Sequence, residues 1–133
     1  MLNQVTHPSI KQPTVKPIDG GWVSYVDPHE YPKAHFGETK PYYAPNDVST
    51  LQGPDAGLIK LPLDIYWGPD RWFNLIRRST LHEAYRTILQ EADIEEINLY
   101  INRDVLQSIW SELDLPARLT CLWEDNVKGF KHV

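Results

Sequence analysis

Apolar positions recur at helical spacing in one part of the chain, from Ser79 to Phe130. Leu81, Tyr85, Ile88 and Ala92 make one stripe, and Ile94, Ile97, Tyr100 and Ile101 the next. Val105, Leu106, Ile109, Trp110 and Leu113 make a third, and Leu119, Leu122, Trp123 and Val127 a fourth. Such recurrence puts apolar side chains on one helical face. Thr80 with Glu83 predicts a capping box for the first helix, and Asp93 with Glu96 predicts one for the second. Asn102 or Asp104 can cap the third. Pro116 lacks the N–H that a helix interior needs but suits a first turn, so it ends the third helix near Asp114 and opens the fourth. Gly129 is the expected stop. The pattern predicts a mainly α fold, a compact bundle of about four short helices over 79–130. Connections this short force neighbouring helices to pack steeply or antiparallel.

Residues 1–69 read differently. They hold ten of the eleven prolines and six of the seven glycines, which argues against a long helix or a central strand. They also carry Trp22, Tyr25, Tyr31, Phe36, Tyr42, Tyr43, Tyr66 and Trp67, whereas disordered segments are poor in aromatics. The expectation is a long, extended proline- and aromatic-rich arm that lies across a surface and drops rings into pockets. It has at most one or two short strands, at Gly21–Val26 and Leu58–Leu63. Lys40–Pro45 reads as extended and 46–57 as turn-rich, with Gln52, Gly53, Pro54 and Asp55 as the flexible point. Trp67–Asp70 reads as a turn and Arg71–Leu75 as a lead into the helices. The division is an arm over 1–60 and a small helical domain over 61–133. About fifty helical residues make a marginal core, so the module needs its arm, a twin or a partner.

Charge and composition narrow the partner. The net charge is −5, which disfavours nucleic acid as a main partner, because phosphate neutralisation supplies that affinity. Arg71, Arg77, Arg78 and Arg86 form a candidate basic patch, or simply a solvated helix flank. The single cysteine, Cys121, excludes an internal disulfide and fits a reducing, cytoplasmic location. It lies between Leu119 and Leu122 with no basic neighbour to make it a thiolate, so it reads as core. The N-terminus lacks an apolar core segment, so no signal peptide is expected. No run is long enough to span a bilayer, so no membrane partner is expected.

Catalytic patterns are weak. His29, Glu30 and His35 have histidines six apart with Pro32 between them, which is not the four-residue helical spacing of a zinc protease. They read as loop residues, and no metal or other cofactor is expected. His82 beside Glu83 and near Asp70 could be a base and its orienter, but no nucleophile accompanies it, and a helix-flank histidine is the simpler reading. The acidic group Glu91, Asp93, Glu95 and Glu96 can face a cation or a basic partner, or can complement a helix dipole while staying solvated. No glycine loop suited to phosphate is present. The expectation is a protein that is not an enzyme.

The aromatics are the remaining signal. Trp110 and Trp123 sit at core spacing. The candidate partner-binding residues are Trp22, Tyr25, Tyr31, Phe36, Tyr42, Tyr43, Trp67, Trp72 and Phe73. The last three, crowded before the first helix, either clamp the arm to the helices or anchor an interface.

The C-terminal half also carries a familiar pattern. Leu61-Pro62-Leu63 is followed by Trp67-Gly68-Pro69-Asp70-Arg71, Tyr85, Leu89-Gln90-Glu91 and Tyr100-Ile101-Asn102. Leu106, Ile109-Trp110, Leu113, Leu115-Pro116 and Trp123-Glu124 complete it. This resembles small bacterial, often actinobacterial, proteins encoded beside AbiEii-type nucleotidyltransferase toxins. The resemblance covers about 61–124, and Ala92 stands where those proteins are expected to carry glycine. It implies an antitoxin-like partner protein and carries over no catalytic residue. The expected function is therefore non-enzymatic protein binding, with a nucleotidyltransferase-type toxin as one partner. The alternative is a structural subunit of a larger assembly, such as a phage particle, whose arm contacts neighbouring subunits.

Overall fold

The computed structural model describes residues 16–18, 22–24, 41–45, 47–128 and 130. Four α-helices form its bulk: α1 (Arg78–Glu91), α2 (Ile94–Tyr100), α3 (Arg103–Ile109) and α4 (Ala117–Asn126). Five short strands precede them, more than the one or two expected. β1 (Lys16–Ile18), β2 (Trp22–Ser24) and β3 (Ala44–Pro45) form an antiparallel sheet in that order. β4 (Leu58–Lys60) and β5 (Trp72–Asn74) form a separate antiparallel pair. Strands of two or three residues are too short to show alternation. The prolines mark them instead: Pro17 and Pro45 sit on the outer strands β1 and β3, and the central strand β2 has none. That is where a residue without an N–H can be tolerated. Arg71–Leu75, read as a lead-in, contains β5.

The four helices stand close to their expected bounds, but the capping chemistry is only partly as read. Asp93 and Glu96 form the predicted box: Glu96 N–H donates to Asp93 Oδ1 at 2.9 Å, and Asp93 N–H donates to Glu96 Oε1 at 3.0 Å. Asn102, not Asp104, caps α3 by accepting from Val105 N–H at 3.0 Å. The Thr80–Glu83 box does not form. The first helix begins two residues earlier, and the Thr80 hydroxyl donates to the Asn74 and Arg77 carbonyls. It thereby ties the end of β5 to the start of α1. After α3 the chain tightens into a 3₁₀ turn over Trp110–Glu112 before Pro116 opens α4. Gly129, the expected stop, lies outside the described residues.

One core joins helices and strands. Tyr85, Ile88, Ile97, Ile101, Leu106, Leu119, Leu122 and Trp123 are fully buried, and Trp22, Val23, Ala44, Leu51, Ile59 and Phe73 belong to the same cluster. At one end Trp110, Trp123 and Phe130 pack as a ring triad with centroids 5.3–5.9 Å apart. Cys121, expected in the core, is exposed: it lies on the opposite side of α4 from the buried stripe. β3 packs on α4, where Arg118 also stacks over the Tyr42 ring at 4.9 Å. Trp22 and Val23 of β2 and Ala44 of β3 therefore share the core of the helices.

The segment expected to be the flexible point is instead stitched down. Gln52 N–H donates to Asn98 O at 2.8 Å, and Gly53 N–H donates to Ile101 O at 2.9 Å. Asn102 Nδ2 donates to Gly53 O at 3.0 Å, and Asn102 N–H donates to the buried Tyr85 hydroxyl at 3.0 Å. A Cβ on Gly53 would stand 2.3 Å from the Tyr100 carbonyl carbon and oxygen. Glycine is required there for close backbone approach, not for mobility. Gly53→Ala is expected to destabilise the fold by more than about 2 kcal/mol, and Tyr85→Phe by about 1–3 kcal/mol, since the latter leaves the Asn102 N–H without its acceptor. Urea unfolding followed by tryptophan fluorescence measures both.

Candidate protein-interaction face

The β4–β5 hairpin separates its side chains cleanly. Register pairs Ile59 with Phe73 and Lys60 with Trp72. Successive residues point to opposite faces, so Ile59 and Phe73 enter the core while Leu58, Lys60, Trp72 and Asn74 share the outer face. The ladder continues past the strands, with Leu61 N–H donating to Arg71 O at 2.9 Å and Leu75 N–H to Gly57 O at 2.8 Å. Inside, the Tyr66 ring meets Phe73 edge-on at 5.1 Å. Outside, Lys60 Nζ lies 5.7 Å from the centroid of the Trp72 ring.

The exposed apolar side chains gather here. Among the described residues six large hydrophobics are exposed, and five of them (Leu58, Leu63, Trp67, Trp72 and Ile76) lie on the hairpin or its immediate flanks. Trp67 is 87% exposed and Trp72 54%. The sixth, Leu99, lies on α2. Charge gathers with them. Residues 56–80 hold four of the thirteen basic residues and two of the eighteen acidic ones, a net +2 against −7 for the rest of the chain.

The candidate aromatics thus divide. Trp67 and Trp72 stand in solvent, whereas Trp22 and Phe73 are core side chains, buried between strand and helix. Tyr42 and Tyr43 are half-buried beside α4 and α2 respectively, and burial together with the nearby Asp93 carboxylate pushes the Tyr43 hydroxyl up. Tyr25, Tyr31 and Phe36 lie outside the described residues, as do His29, Glu30 and His35.

The candidate basic patch is spread over the hairpin and α1, with Arg77 exposed at the N-cap of α1. Arg78 is paired with Glu112, Arg71 lies at the mouth of the hairpin, and Arg86 lies half-buried along α1. His82 turns away from Glu83 and Asp70: its Nε2 stands 3.1 Å from Glu112 Oε1, without hydrogen-bond alignment. Asp70 instead accepts from the Trp72 N–H at 3.3 Å. Among the described residues no group of three His, Cys, Asp or Glu side chains is placed to hold a metal. No described helix is long and apolar enough to cross a membrane. Two open depressions flank α2. One of about 440 Å³ is lined by Thr50, Gln52, Glu95, Asn98 and Leu99, and one of about 230 Å³ by Tyr43, Asp93, Ile94 and Glu95. Neither brings His82 together with an acid.

The acidic group resolves into a cap and a carboxyl cluster. Burial, followed by the Asp64 and Asp93 carboxyls beside it, pushes Glu96 up from 4.5 to about 7, against the opposing effect of the Asp93 N–H that it accepts. Asp64 comes from the β4–β5 connection, so the cluster brings carboxyls of the hairpin connection and of α2 near one another. It was invisible in sequence because Asp64 and Glu96 are thirty-two residues apart.

No protein-family model matches this chain, and no curated protein or solved structure matches it either.

A group whose folded-state pKa is raised stabilises the fold fully below its unfolded value, and that stability is lost as pH rises through the folded value. For Glu96 the window runs from 4.5 to about 7. Glu96→Gln can still accept from the Asp93 N–H and cannot ionise. The urea midpoint of the wild-type chain is expected to fall relative to that of Glu96→Gln as pH rises through this window, with little difference at its acidic end.

Proposed function

We propose that this chain is a non-enzymatic protein-binding module whose contact face is the outer side of the β4–β5 hairpin. The observation that carries the reading is the concentration of exposed Leu58, Leu63, Trp67, Trp72 and Ile76 on one hairpin. Gathered apolar exposure marks interaction sites, and tryptophans are the side chains that most often dominate binding energy. The face is also preorganised. Ile59 and Phe73 lock the hairpin into the core, so little ordering opposes association.

A nucleotidyltransferase-type toxin is the first partner to test. The support for it is the spacing of Leu61-Pro62-Leu63 and Trp67-Gly68-Pro69-Asp70-Arg71, whose residues form the connection at the end of this hairpin. Neutralisation would follow from occupying the toxin's surface through the two tryptophans, with no chemistry required of this chain.

Isolation of the tagged native chain at low salt, with solution mass measured and co-purifying chains identified, is expected to return one partner at fixed stoichiometry. Trp67→Ser and Trp72→Ser should each weaken that complex by about tenfold or more. Both side chains are exposed, so the unfolding midpoint should change little. A chain that remains a lone monomer, or a complex insensitive to both substitutions, would remove the reading.

A further inference from the structure

We propose that the outer edge of β4 accepts an extended segment of the partner as a third strand, with an apolar and an acidic residue two positions apart on its outer face; this rests on the hairpin being the contact face. The hydrogen-bond pattern identifies the edge. The Leu61–Arg71 and Leu75–Gly57 bonds bracket the Ile59–Phe73 pair. Bonded pairs alternate along an antiparallel ladder, so Gly57, Ile59 and Leu61 turn their backbone groups toward β5. The N–H and C=O groups of Leu58 and Lys60 consequently point away from it, and no hydrogen bond takes them among the described residues. The far edge of β5 is partly engaged. Trp72 N–H donates to Asp70, the Asn74 carbonyl accepts from Thr80, and Ile76 N–H donates to Asn74 Oδ1 at 3.0 Å. Among the described residues, β4 is the edge whose outward backbone groups all lack a partner.

Side-chain chemistry defines the occupant. A two-stranded pair is marginal by itself and gains from a third strand. Strand addition takes affinity from main-chain bonds and specificity from alternate side chains. On the outer face the incoming strand would lie beside Leu58 and Lys60, with Trp72 within diagonal reach. Leu58 calls for an apolar neighbour and Lys60 for an acidic one. The net +2 of residues 56–80, set against −7 elsewhere, favours an acidic segment and opposes a second copy of this same basic edge.

The probe is an acetylated, amidated seven-residue peptide, Thr-Val-Thr-Glu-Thr-Val-Thr, whose valines and glutamate share one strand face, added to the full ¹⁵N-labelled chain. Binding is expected, with slowed hydrogen exchange at the Leu58 and Lys60 amides. A lysine–valine peptide, with lysine in place of the glutamate, should not bind, nor should the glutamate–valine peptide N-methylated at every residue. Lys60→Glu should weaken binding by about tenfold, and Trp72→Ser should weaken it similarly. Equal binding of the lysine–valine or N-methylated peptide would overturn the proposal. So would protection of these two amides in the chain alone through self-association, or binding of phosphatidylserine vesicles but not of the peptide. Suppose that the native complex is lost on Trp72→Ser while the Leu58 and Lys60 amides exchange as in the free chain. Strand addition then falls and the contact face stands. If both tryptophan variants keep the complex, both readings fall.

Discussion

Asn102 makes the connections on which the rest of the structure depends. Its side-chain oxygen caps α3, its side-chain amide holds the Gly53 carbonyl, and its backbone N–H is received by the Tyr85 hydroxyl. Three parts of the chain, the 52–54 loop, α1 and the α2–α3 junction, therefore meet at one residue. α2 and α3 have seven residues each, too few to persist as helices without tertiary support. The junction supplies that support, and it needs Gly53, because a side chain there would occupy the position of the Tyr100 carbonyl. Burial also drives the Tyr85 hydroxyl up to about 12, so across the physiological range it stays protonated while accepting from the Asn102 N–H.

The same frame fixes the hairpin. Thr80 ties the last residue of β5 to the first turn of α1. Ile59 and Phe73 fill the core beneath it, with Tyr66 packed edge-on against Phe73. Strands this short would not hold a register alone. Held by the Thr80 tie and by the core beneath, they present Leu58, Lys60 and Trp72 as a stable outer face. Exposure of this kind costs solubility and gives no stability to the chain that carries it. This cost is the physical reason for reading the face as one that another protein covers.

The helices were legible because their apolar stripes recur over several turns and because Asp93-x-x-Glu96 and Asn102 are local capping signals. Thr80-x-x-Glu83 matched the same signal and misled. The Thr80 hydroxyl instead donates to the Asn74 carbonyl, and Asn74 belongs to a strand that three residues cannot announce. Cys121 misled similarly. It follows Leu119 within an apolar run, but a helix rotates 100° per residue, and the side of α4 that faces the core takes Leu119, Leu122 and Trp123 instead.

The sequence by itself determined where helices can form and where prolines confine strands to edges. These properties depend on a few neighbouring residues. Only the tertiary structure decided that Gly53 is a packing contact, that Phe73 is inside while Trp72 is outside, and that Glu112 and not Glu83 meets His82. Each of those outcomes depends on contacts between residues far apart in the chain. Alternation along a three-residue strand gives two opposite faces, and only the core beneath it sets which one is buried.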